Sequence, residues 1–169
     1  ILKQHETKKA RLIAVTSGKG GVGKSNFALN FALSLIEQGQ RTLLIDLDLG
    51  FGNIDVLLGY SPRYSVVDLL KQPLSLTQVV EEGPHGLLLI SGGSGLDQLV
   101  DVPPDKLNQI ITELEMLEKE VDQIILDTGA GLDPGTLPLL LTSDDVFLVT
   151  TPEPTSLTDA YAVLKMLAN

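Results

Sequence analysis

One octapeptide restricts this chain more than any other feature. Residues 18–25 read Gly-Lys-Gly-Gly-Val-Gly-Lys-Ser, the pattern G-x-x-x-x-G-K-[S/T], between an apolar run and an amphipathic stretch. Gly18, Gly20, Gly21 and Gly23 free the backbone to curl, so that successive N–H groups, including that of Val22, turn inward on an anion. A helix opening directly after the loop adds its positive end. Lys24 is then placed for the β- and γ-phosphates of a nucleotide and the Ser25 hydroxyl for Mg²⁺, with Asn26 next in line. The loop needs a strand before it and a helix after it.

The rest of the chain has that rhythm. Short runs rich in Leu, Ile and Val at 12–17, 42–46, 86–91, 122–127 and 145–150 alternate with longer helix-like stretches. The runs lack in–out alternation, as strands covered on both faces do, which predicts a mainly parallel sheet with helices on either side. Each run ends near a polar or glycine-containing segment, and ligands of open α/β sheets bind beyond the carboxyl ends of the strands. Helices are predicted over 24–38 with Gly39 as its stop, and from Ser75 with Gln78 as a capping box, stopped by Gly83. Leu107, Ile110, Ile111, Leu114 and Leu117 mark another, with Glu113, Glu115, Glu118, Lys119 and Glu120 as its wet face. Pro134 suits the first turn of a helix reaching about Leu141. Ser156 with Asp159 opens the last, whose stripe of Leu157, Ala160, Tyr161, Leu164 and Leu167 is expected to be core.

Composition removes several chemistries. The 169 residues contain no cysteine, which excludes a disulfide scaffold, a thiolate zinc site, a thiol nucleophile and a cysteine-held cluster. Twelve basic residues against 22 acidic give a net charge of −10, so no nucleic-acid partner is expected. No apolar run approaches the ~20 residues of a membrane span, and a cytoplasmic location is expected. The chain starts at Ile1 and stops inside a helical pattern, so a polar segment over 1–10 and a domain over 11–169, incomplete at its C-terminal side, are expected.

The acidic residues that matter stand at strand ends. Asp46 and Asp48 are two apart, which in an extended segment turns both carboxylates to one side. Asp127 follows Ile124, Ile125 and Leu126, the pattern of a strand that delivers a carboxylate to a Mg²⁺–phosphate site. Lys19 is a second lysine inside the loop, able to pair with phosphate in its own site or in a neighbour's.

SGKGGVGKS (17–25) resembles the deviant phosphate loop of the MinD/ParA ATPases, IDLDLGFGNID (45–55) their first switch and LDTGAG (126–131) their second. LLLISGGSG (87–95) and VTTPEPTSLTDAY (149–161) are similar to the FlhG-type branch, which regulates flagellar number and placement. The resemblance implies a three-layer P-loop NTPase fold of the SIMIBI type and Mg²⁺-dependent ATP hydrolysis in an ATP-bridged homodimer. It assigns Lys19 to the partner copy's phosphates, Asp48 to orienting the attacking water, and Asp127 with Ser25 to the magnesium side, supported by Asp46. It places the adenine near Pro152, where Thr151 stands in place of a common asparagine. It also implies the flagellar GTPase FlhF and C-ring switch proteins as partners, and membrane attachment through a segment that these residues do not contain. A partition ATPase of the ParA kind, which would want a basic surface, and a nucleotide-latched interaction module with little turnover are the other readings. His5 and His85 read as solvated, Tyr60 and Tyr64 as surface contacts, and Gly50 and Gly52 as freedom for the first switch.

Overall fold

The computed structural model describes residues 9–48, 52–93, 104–131 and 136–168. The 1–8 part of the polar start with His5, Gly50, Pro134 and the side chain of Leu107 lie outside the described residues.

Among the described residues six strands form one sheet: β1 (Arg11–Ser17), β2 (Thr42–Leu47), β3 (Glu81–Glu82), β4 (Leu88–Ile90), β5 (Gln123–Ala130) and β6 (Asp145–Val149). Their spatial order is β3-β4-β2-β5-β1-β6; every pairing is parallel except that of β3 with β4. The helices are α1 (Lys24–Glu37), α2 (Ile54–Leu58), α3 (Val66–Lys71), α4 (Leu76–Val79), α5 (Pro104–Leu117), α6 (Leu137–Thr142) and α7 (Pro154–Leu167). Alternate residues of a strand serve opposite cores. On one face Leu12, Ala14, Leu43, Ile45, Ile124 and Leu126 meet α3 to α6; on the other Val15, Leu44, Leu89 and Ile125 meet α1 and Ile54 of α2. Both faces are therefore apolar, which is why the strands read as continuous runs.

Several boundaries differ from the sequence expectation. β5 continues to Ala130, while the expected strand at 86–91 shrinks to Leu88–Ile90 because Pro84–Gly86 makes a 3₁₀ turn. The helix after Ser75 ends at Val79, four residues before Gly83, because Glu81 and Glu82 leave it to pair with β4. Its capping contact is present, the Ser75 N–H donating to Gln78 Oε1 at 2.9 Å. Glu118 is not on a wet face; it is buried and bonded to Lys9 at 3.3 Å. Glu113 reaches from α5 to accept the N–H of Leu76, fastening α4.

The largest correction concerns α7. It begins at Pro154, two residues before Ser156, and buries Ser156, Ala160 and Val163. Leu157, Tyr161 and Leu164 of the expected core stripe are 50%, 68% and 53% exposed. The reason is steric. A Cβ on Gly18 would lie 2.3 Å from the carbonyl carbon of Asp159 and 2.5 Å from the nitrogen of Ala160. The helix backbone rests directly on the loop, and only the small face of α7 permits that approach.

Gly18→Ala should accordingly cost about 3 kcal/mol, the upper end for overpacking against atoms that cannot swing aside. For a domain of this size that lowers the melting temperature by roughly 6–12 °C. Thermal unfolding followed by circular dichroism checks it; Gly20→Ala, whose added Cβ meets nothing within 4 Å, is the control.

Candidate functional site

β1 delivers the glycine loop to the carboxyl edge of the sheet, and α1 begins at Lys24. Gly21 and Gly23 have φ of 76° and 93°, a left-handed backbone that side chains resist. The Ser17 hydroxyl donates to the Lys19 carbonyl at 3.0 Å and ties the loop's entry. The result is a cleft of about 250 Å³ walled by the loop, the start of α1, and Asp48, Asn53, Leu57 and Ala130 from across the sheet edge.

Lys24 lies at the base. Its Nζ donates to Asp127 Oδ1 at 2.6 Å, with the two side chains 7% and 0% exposed. In that setting each charge depends on the other. The Ser25 hydroxyl accepts from the same Nζ at 3.4 Å. Asp127 Oδ2 is buried and has no hydrogen-bond partner among the described residues. Around Gly20, Gly21 and Gly23 an added Cβ would touch nothing within 4 Å. An orphaned carboxylate oxygen beside a serine hydroxyl, below an open ring of backbone, fits a phosphate tail with a hard cation.

The three strand-end carboxylates differ. Asp46, level with Asp127 on the neighbouring strand, is 1% exposed. Burial, and next the charge of Asp127, push its carboxyl up to about 7. Its oxygens accept backbone N–H groups: Asp48 at 3.0 Å, Asn53 at 3.1 Å and Ile54 at 3.4 Å. Asp48 is half-buried on the cleft wall, and its carboxyl too is raised by burial, against the pull of Lys24.

Lys19 points away from the base of the cleft. Its Nζ reaches Glu153 Oε2 at 3.0 Å and Thr155 Oγ1 at 3.3 Å, at the start of α7. Both partners of that pair are exposed, so it holds weakly. Pro152 is exposed in the β6–α7 loop and does not line the cleft. Beside it the Thr151 N–H donates to Ser156 Oγ at 3.1 Å, and the Thr151 hydroxyl is buried without a hydrogen bond among the described residues. Val22 is half-buried in the loop and Asn26 lines the cleft. Sequence reasoning missed Asn53 and Leu57, which reach the cleft from just before and from within the short helix α2; the Asn53 position just before an apolar turn was the available signal.

This constellation of loop, lysine and strand-end aspartate defines a phosphate-loop nucleotide-binding protein. The family model described as an AAA domain (AAA_31) matches residues 10–169. The chain belongs to that family and is a MinD/ParA-type ATPase. It is 38% identical over 157 residues to the antiactivator FleN of Pseudomonas aeruginosa, covering 93% of this chain and 56% of FleN. It is 41% identical over 157 residues to the flagellum site-determining protein YlxH of Helicobacter pylori, covering 92% and 53%. The septum site-determining protein MinD of Pyrococcus horikoshii, solved with Mg-ADP, superposes with a TM-score of 0.81 at 28% identity, covering 94% of this chain and 65% of MinD. The chain thus spans little more than half the length of FleN and of YlxH.

Proposed function

We propose that this domain is an ATP-driven switch: ATP draws two copies together, hydrolysis releases them, and the cycle regulates flagellar number or placement. The buried Lys24–Asp127 pair at the floor of an open glycine ring carries the reading. The inward N–H groups of residues 18–23 hold the phosphate tail, and Lys24 exchanges part of its contact with Asp127 for the β- and γ-phosphates. Ser25 and Asp127 would hold Mg²⁺, with Asp46 behind them; the ion supplies neutralisation of charge on the phosphate oxygens. Asp48 orients the attacking water from the cleft wall. Lys19 leaves Glu153 and gives its charge to the phosphates of the second copy. The name of the flagellum site-determining protein YlxH supports the flagellar role.

Sizing by light scattering tests the switch. The expected result is a monomer with Mg-ADP and a dimer with Mg²⁺ and a non-hydrolysable ATP analogue; one size in both states would overturn it. A dimer with the analogue but no phosphate release from ATP would leave the nucleotide-latched module in its place.

A further inference from the structure

We propose that Asp46 is a positioning residue that holds Asp48 and Asn53 against the cleft through their backbone N–H groups. The inference rests on the ATPase reading above and assigns a residue to its hydrolytic step.

Three observations converge. Asp46 divides its carboxylate between two points of the backbone: Oδ1 accepts the N–H of Asp48 at 3.0 Å, and Oδ2 accepts those of Asn53 and Ile54 at 3.1 and 3.4 Å. Both points carry a cleft-lining side chain, Asp48 at one and Asn53 at the other. The carboxylate is also sandwiched. A Cβ on Gly52 would lie 2.8 Å from Asp46 Oδ2, and one on Gly92 would lie 3.1 Å from its Cγ. Neither glycine has a left-handed backbone, since positive φ among the described residues lies elsewhere. Their small size therefore serves the close approach to Asp46.

The contrast with Asp127 sets the division of labour. Asp127 offers a buried oxygen with no hydrogen-bond partner among the described residues, whereas both oxygens of Asp46 already accept backbone N–H groups. A carboxylate with two well-separated acceptors can bridge two backbone segments, and an amide in its place cannot. Its nitrogen faces a donor and repels it. A misplacement of about 1 Å at a water-orienting group lowers turnover steeply.

The test compares the full chain with Asp46→Asn. In hydrogen exchange the amides of Asp48, Asn53 and Ile54 should exchange about tenfold faster, while those of β1 and β5 keep their rates. The kcat for ATP should fall by about tenfold or more, with KM and the Kd for ADP within about threefold of the parent. Mg²⁺ should still strengthen nucleotide binding. Unchanged protection of the three amides, or an unchanged kcat, would overturn the proposal. Loss of the Mg²⁺ effect would also overturn it, by assigning Asp46 to the cation. Gly52→Ala is the second variant, needed if Asp46→Asn does not fold. It keeps the carboxylate but forces the Asn53 backbone off it, and the same fall in kcat with Kd retained is expected. If the parent chain itself released no phosphate, the ATPase reading would fall, and the exchange measurement alone would still decide whether Asp46 is the anchor.

Discussion

Lys24→Met should both destabilise this domain and strip it of nucleotide affinity, and adding Asp127→Asn should restore only the stability. The lysine and Asp127 form an ion pair at 2.6 Å with almost no exposure. Removing one partner leaves a buried charge uncompensated, a loss of about 3–5 kcal/mol. Asp127→Asn on the same background removes that charge and should recover most of it, a coupling that a double-mutant cycle in urea measures directly. The phosphate contacts do not return. Hydrogen bonds from a charged donor are worth about 1.5–3 kcal/mol each, so affinity for ADP should stay down by roughly 100-fold or more in both variants. Additive stability losses would show that the pair is not the buried anchor described here.

Lys19→Ala is expected to have the larger effect on turnover and almost none on stability. In the single copy Lys19 makes an exposed contact with Glu153 and Thr155, the kind of pair whose removal changes stability by ~1 kcal/mol at most. A cation supplied across an interface to a transferring phosphoryl group contributes ~10³–10⁵ in rate, or roughly 4–7 kcal/mol of barrier. Phosphate release should therefore collapse, and the analogue-dependent dimer should fail to form, while the unfolding curve stays with the parent's. Intact dimerisation and turnover would remove the assignment in trans.

How much of this could be read from the residues depends on whether the cause was local. The phosphate loop was legible because its glycines and lysine are contiguous. The left-handed backbone of Gly21 and Gly23 is a property of the octapeptide itself. The parallel sheet was legible because burial on both faces leaves unbroken runs such as 124–126. The rotation of α7 was not, since it follows from the missing Cβ of Gly18, more than a hundred residues away. A stripe of Leu157, Tyr161 and Leu164 looks like core by period alone, yet it faces outward. Helix α3 was missed despite its Ser65–Asp68 capping box, because six residues are too few for a periodic signal. The partners of Asp46 are backbone N–H groups, and no side-chain pattern announces those. The contact of Lys19 with Glu153 spans 134 positions and was equally out of reach.

The central claim is that the cleft above Lys24 receives the phosphate tail of an adenine nucleotide. Isothermal titration of the full chain with ADP and Mg²⁺ tests it most directly. The account predicts saturable heat with one nucleotide per chain, abolished in the folded Lys24→Met, Asp127→Asn double variant. No heat in the parent chain, or equal binding in that variant, would contradict it.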